Sequence, residues 1–246
     1  MAGAPFVQFV DAGLRLPNGR VLLDDLSLTV AEGETLAMIG RSGSGKTTAL
    51  KLVNALLLPT EGRVQVDGKA TSAWDPIRLR RRTGWVIQEV GLFPHLTVRR
   101  NVGVVPELEG WPSQRVAARI DEMLALVGLP AASFGDRYPH QLSGGQRQRV
   151  GVARALAVDP PLVLLDEPFG ALDPITRREL QREFRALQGR LRKTAVFVTH
   201  DLREAAQVAD RLALLDGGRL LAMGTAAELA ASARPEVRDF FEAGAA

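Results

Sequence analysis

The sequence predicts an α/β fold with an antiparallel β layer at its start and a helical insertion. Three observations predict it. The segments Trp85 to Ile87, Leu162 to Leu165 and Ala195 to Thr199 run apolar on successive residues, as strands of a parallel sheet covered on both faces do. Stretches with apolar residues at helical spacing separate them. The first third of the chain reads as strands and turns.

Taken in order, Phe6 to Val10, Leu26 to Val30 and Thr35 to Ile39 read as strands, and Val64 to Val66 before Asp67-Gly68 as a hairpin. A helix is expected from about Gln114 to Val127, with Val116, Ile120, Met123, Leu124 and Val127 on one face. Ser113 would be its N-cap and Gly128 the residue just past its end. Leu180, Phe184, Leu187 and Leu191 mark a second helix. Between Gly91 and Asp159 the pattern is helical and punctuated by proline. The chain therefore reads as one domain over 1–246, with 1–90 and 159–246 forming the α/β core and β layer and 91–158 a helical subdomain. Asp216-Gly217 between two apolar runs predicts a last hairpin.

Composition narrows the chemistry. The chain has 246 residues, 46% of them apolar and 24% charged, enough to bury a core without covalent staples. The absence of cysteine excludes a disulfide framework, a thiolate metal site and a cysteine nucleophile. No apolar run reaches the roughly 18 residues of a membrane span, and Met1 to Pro5 lacks a signal peptide's features, so the chain is expected to stay in the cytoplasm. The net charge of +3 is carried almost wholly by arginine, which keeps an anionic partner under consideration.

After the strand Thr35 to Ile39 comes Gly40-Arg41-Ser42-Gly43-Ser44-Gly45-Lys46-Thr47, and then a helical stretch from Thr48 to Leu57. This is the complete phosphate-loop pattern in its required strand-to-helix context. Glycines let backbone N–H groups converge on an anion, the new helix aims its positive end there, and Lys46 adds a full charge. Thr47 supplies a hydroxyl suited to Mg²⁺. Further on, Leu162 to Leu165 ends in Asp166-Glu167, at the sheet edge where open α/β folds place ligands. Neighbouring strand residues point to opposite sides. Asp166 is thus read as a metal-side acid, and Glu167 as the group that orients or deprotonates the water attacking a γ-phosphate. Leu142-Ser143-Gly144-Gly145-Gln146 precedes a helix from Arg147 to Ala157, and Ser143 with Gln146 has capping-box spacing. Its paired glycines also expose amides at a positive helix end, which makes it a second anion site.

With these motifs in hand, the chain resembles the nucleotide-binding subunits of ATP-binding cassette (ABC) transporters, and the motifs follow that family's order. Gln88 stands as the family's Q-loop glutamine, Ala171-Leu172-Asp173 as its D-loop, and His200 at the switch-histidine position. The resemblance implies a RecA-like P-loop NTPase core and an ATPase with Mg²⁺. It implies phosphate and nucleotide contacts from Gly40, Ser42, Gly43, Ser44, Gly45, Lys46, Thr47, Thr48 and Asp173. Thr47, Gln88 and Asp166 would face the metal, and Glu167, His200, Gln88 and Lys46 would act in hydrolysis. It further implies a head-to-tail dimer, in which Ser143, Gly144, Gly145 and Gln146 of one copy close over the nucleotide of the other. His95, within Gly91 to His95, lies where the family receives the coupling helix of a membrane permease.

Several segments resemble one branch of the family: Val86 to His95, Asn101 to Pro106, Asp136 to His140 and Asp173 to Thr176. That branch imports osmoprotectants such as glycine betaine, choline or carnitine, with permease subunits and an external binding protein. The expected location is the cytoplasmic face of the membrane. Importers of amino acids or other small solutes are the alternative. A soluble cassette acting on nucleic acid, motivated by the run Arg78 to Arg82, is less consistent because neither a fused second cassette nor a long coiled coil is present. A guanine-specific switch would need an Asn/Thr-Lys-x-Asp segment, which the sequence lacks. Two departures stand out. Leu16 occupies the place of the aromatic residue that stacks on adenine, so plain apolar contact is expected there. The chain also ends at Ala246, where many relatives continue into a tandem regulatory domain, so sensing through such a tail is not expected.

Overall fold

The computed structural model describes residues 5–88, 91–170 and 172–245. In chain order the elements are β1 (Pro5–Arg15), β2 (Val21–Ala31), β3 (Thr35–Ile39), α1 (Lys46–Val53), β4 (Glu61–Val66), β5 (Lys69–Ala70), α2 (Pro76–Arg81), β6 (Thr83–Val86), α3 (Val98–Leu108), α4 (Ser113–Leu126), α5 (Ala131–Phe134), α6 (Gly144–Leu156), β7 (Leu162–Asp166), α7 (Pro174–Leu191), β8 (Thr194–Val198), α8 (Leu202–Val208), β9 (Arg211–Asp216), β10 (Arg219–Gly224), α9 (Ala226–Ala230) and α10 (Pro235–Ala245), with two single 3₁₀ turns. They pack as two compact units, Met1–Arg80 with Gln181–Ala246, and Arg81–Leu180.

In the first unit, β2, β1, β4 and β5 form an antiparallel sheet in that order. Alternation makes one face of this sheet: Val7, Phe9, Leu26, Leu28, Val30, Val64 and Val66 are buried, and the residues between them are more exposed. A second set of strands runs β10, β9, β3, β8, with β3 parallel to both β8 and β9. Every residue of β3 and β8 is buried, which is why these segments read as unbroken apolar runs. The Asp216-Gly217 turn joins β9 to β10 in the expected hairpin.

The second unit holds the parallel pair β6 and β7 and helices α3 to α6. From Gly91 to Asp159 the regular elements are all helical among the described residues. α4 buries Val116, Ile120, Met123 and Leu124 and stops at Gly128. There φ is +70°, and the bonds Gly128 N–H to Ala125 and Leu129 N–H to Leu124 close the last turn.

Two local expectations need correction. Ser113 is the first residue of α4 and Pro112 occupies the cap position without a side-chain bond; proline's fixed φ starts the helix without a capping hydroxyl. The helix after the phosphate loop ends at Val53, four residues short of Leu57. Ala55 turns to φ +52°, and the N–H groups of Leu56 and Leu57 both return to the Lys51 carbonyl.

Candidate functional site

In the first unit, the phosphate loop hangs between a buried strand and a helix. β3 delivers Gly40 at its end, and α1 begins at Lys46 with Gly45 as N-cap in the left-handed conformation. No side chain caps this helix start, so its first amides face a site where an anion can serve as acceptor. Glycine is required at Gly45: φ is +99°, and a Cβ would stand 2.6 Å from Leu23 Cδ2 and 2.9 Å from the Leu22 carbonyl. Lys46 is only 6% exposed. Its Nζ donates to the Gly40 carbonyl at 2.9 Å, the Arg41 carbonyl at 2.8 Å and Ser44 Oγ at 3.3 Å. The ammonium is thus held within the curl of the loop. Ser42 and Gly43 are exposed at the loop tip, and Thr47 and Thr48 are half-buried in the first turn.

Register brings His200 to the same edge. β3 and β8 are parallel with Met38 opposite Val198, so Gly40 and His200 each lie two residues past a matched pair. The Thr199 N–H donates to the Met38 carbonyl at 3.2 Å, and Thr199 Oγ1 accepts from the Asp201 N–H at 3.0 Å. Asp201 in turn caps α8. His200 is exposed, and with Arg41 it lines a cavity of about 520 Å³. Leu16 is half-buried in the turn between β1 and β2, its N–H donating to the Arg20 carbonyl.

The second unit repeats this device. β6 and β7 are parallel with Val86 opposite Leu165, so Gln88 and Glu167 each stand two residues beyond a matched pair. Gln88 Nε2 donates to Glu167 Oε2 at 3.3 Å. Asp166 is the last residue of β7 and is 8% exposed. Glu167 leaves the strand with φ +45°, a left-handed conformation that costs a residue with a Cβ about 1–2 kcal/mol. Sequence reasoning, which carried the strand through both acids, missed this turn. An adjacent Asp-Glu at a strand end gives no signal of it.

Ser143 makes the capping box the sequence predicts. Its Oγ accepts from the Gln146 N–H at 3.2 Å, and Gln146 Oε1 accepts from the Ser143 N–H at 3.0 Å. Ser143 is exposed, Gly144 and Gln146 are half-buried and Gly145 is buried. Asp173 sits at the start of α7, where its Oδ1 accepts from the N–H groups of Ile175 and Thr176 at 3.1 Å each. The Thr176 side chain, followed by its backbone N–H, holds the Asp173 carboxyl below its ordinary range. Ala171 of the expected D-loop, and Glu89 and Val90 of the branch-specific segment, lie outside the described residues.

Of the residues that the resemblance implies for a metal, Thr47 in the first unit offers a hydroxyl, and Gln88 and Asp166 in the second offer an amide oxygen and a carboxylate. All are hard oxygen ligands that fit Mg²⁺, an ion that takes few protein ligands and keeps phosphate and water oxygens for the rest.

A family model described as ABC transporter matches residues 23–170. The glycine betaine/carnitine/choline transport ATP-binding protein OpuCA of Bacillus subtilis is 50% identical over 212 residues, 86% of this chain and 56% of OpuCA. The glycine betaine uptake system ATP-binding protein YehX of Escherichia coli is 47% identical over 228 residues, 92% of this chain and 74% of YehX. The chain spans about half the length of OpuCA and of other curated relatives similar to it. Among solved structures, the dimeric post-hydrolysis state of the ATP-binding cassette MJ0796 bound to ADP and Pi superposes with a TM-score of 0.79 at 33% identity, covering 89% of this chain and 98% of that one.

Proposed function

The chain belongs to the ABC transporter family, and on that premise we propose that it is the ATP-hydrolysing subunit of an importer for quaternary-amine osmoprotectants. The observation that carries the hydrolytic part is the Glu167 carboxylate, presented past the end of a buried strand with the Gln88 amide on its Oε2 at 3.3 Å. A carboxylate so held can orient a water molecule and take its proton. The printed names of OpuCA and YehX support the cargo class.

In this reading Lys46 and the amides of Gly40, Ser42, Gly43, Ser44, Gly45, Thr47 and Thr48 grip the β- and γ-phosphates of ATP, and His200 contacts the γ-phosphate. Thr47, Asp166 and Gln88 would hold Mg²⁺, which when bound offsets phosphate charge. Glu167 positions the attacking water. Leu16 packs on adenine. Ser143, Gly144, Gly145 and Gln146 of a second, head-to-tail copy complete the site, with Asp173 near that junction. Permease subunits at the cytoplasmic face of the membrane, and through them an external binding protein, are the further partners. Among the described residues no helix is long and apolar enough to cross a membrane, which is consistent with separate permease subunits.

Two measurements test this. Glu167→Gln should abolish steady-state hydrolysis while retaining bound ATP and favouring the dimer; undiminished turnover would refute the role. Reconstituted with its permease and binding protein, the ATPase should be stimulated by external glycine betaine, choline or carnitine. Stimulation by an amino acid or another small solute alone would move the cargo to a different class.

A further inference from the structure

The segment Gly91 to Thr97 is fastened from two sides, and one fastening comes from the helix that starts at Ser143. Asn101, fully buried in the second turn of α3, is the first clamp. Its Oδ1 accepts from the Phe93 N–H at 2.8 Å, and its Nδ2 donates to the carbonyls of Phe93, Leu96 and Thr97 at 3.0–3.1 Å. Arg154, near the far end of α6, is the second. Its Nη1 donates to the Gly91 carbonyl at 2.7 Å, and its guanidinium lies 5.8 Å from the centre of the Phe93 ring. Burial holds the Arg154 pKa below that of a free guanidinium. Gly91 has φ +54°, and any Cβ there would collide with the Ile87 side chain.

These two clamps differ in what they connect. Asn101 ties the segment to the helix that follows it in sequence, a local matter of folding. Arg154 ties it to an element more than fifty residues away, whose other end is the Ser143 capping box. Between Gly144 and Arg154 the helix is continuous, so the two ends are joined by a rod of about 15 Å. Phe93, 41% exposed, is the apolar side chain this rod holds outward.

We propose that Arg154 is a positioning residue. It transmits movement of the Ser143 end of α6 to Gly91 and Phe93, so that capture of Ser143 by a partner's nucleotide is read out at the surface offered to the membrane subunit. This rests on the function proposed above. It adds a mechanical link that neither the nucleotide motifs nor the loop itself contains.

Hydrogen exchange tests the link on the chain alone, in the Glu167→Gln background, with and without Mg-ATP. In the parent protein ATP should change protection at both Gly144–Arg147 and the 91–97 segment. In Arg154→Met the response at 144–147 should persist and that at 91–97 should be lost. Arg154→Lys, which keeps a donor and charge but not the fork, should restore part of it. The Phe93 and Leu96 amides, whose acceptors are Asn101 and Phe93 itself, should keep their protection without ATP in all three proteins. Basal hydrolysis in the Glu167 background should stay within about twofold, since no reacting atom is touched.

An unaltered 91–97 response in Arg154→Met would overturn the proposal, as would collapse of Phe93 and Leu96 protection in both variants, which would make the role structural. No response at 144–147 even in the parent protein would instead count against the functional reading on which the link depends.

Discussion

Glu167 sits in a left-handed turn at φ +45°, and this makes a stability prediction whose sign is unusual. At an ordinary exposed position alanine is more stabilising than glycine by about 0.4–1 kcal/mol, because glycine leaves the unfolded chain more freedom. At Glu167 a Cβ in the left-handed region costs about 1–2 kcal/mol, and glycine avoids that cost. Both Glu167→Ala and Glu167→Gly lose the 3.3 Å bond from Gln88, so that loss cancels in the comparison. Subtracting the entropy difference leaves glycine ahead by roughly 1 kcal/mol. For a chain of this size that corresponds to a midpoint higher by about 2–4 °C. Thermal melts of the two variants without nucleotide measure it, and both should lack steady-state ATPase activity. An alanine variant melting at or above the glycine variant would show that Glu167 is not held at a cost.

Lys46→Ala deletes a buried ammonium bonded within its loop. Charged hydrogen bonds contribute about 1.5–3 kcal/mol, so ATP affinity measured by nucleotide titration should fall about 10- to 100-fold; unchanged affinity would contradict the phosphate-loop reading. Leu16→Tyr should tighten ATP binding about two- to tenfold through ring stacking on adenine, and no gain would place the base elsewhere. Glu228 accepts from the Thr225 N–H at 2.7 Å, and this bond, with that to the Thr225 hydroxyl, holds its pKa down. The folded-state value lies below the unfolded one, so the contribution is present above the unfolded value and fades as pH falls through the folded one. Wild type should therefore melt above Glu228→Gln at neutral pH, with the gap closing below about pH 4; a gap that widened in acid would reverse the assignment.

Much of this architecture is legible in the residues because burial leaves a strong trace. β3, β7 and β8 are buried at every position, and such strands can hardly be anything but continuous apolar runs. The phosphate loop is legible for a different reason: its glycines and Lys46 are each demanded by backbone geometry or charge at a fixed offset. What the sequence hides is set by tertiary context. The early end of α1 depends on the left-handed Ala55 and on two amides returning to Lys51, and nothing in Asn54-Ala55-Leu56 announces it. Pro112 stands before α4 without a side-chain bond and Ser113 is already helical, and the Pro-Ser pair does not announce which of the two begins the helix. The Gln88 and Glu167 contact follows from the register of two strands seventy-odd residues apart, and spacing along a chain carries no register. Arg154 carries no signal in the sequence, since an arginine late in a helix ordinarily serves its own C-terminus.

The capping box at Ser143 has one more consequence. A hydroxyl carries two lone pairs and a single proton. The Gln146 amide occupies one lone pair and thereby fixes where the oxygen sits. Rotation is restricted before any partner arrives, so a phosphate approaching this helix start meets an oxygen already set in place and little side-chain freedom remains to be surrendered on contact.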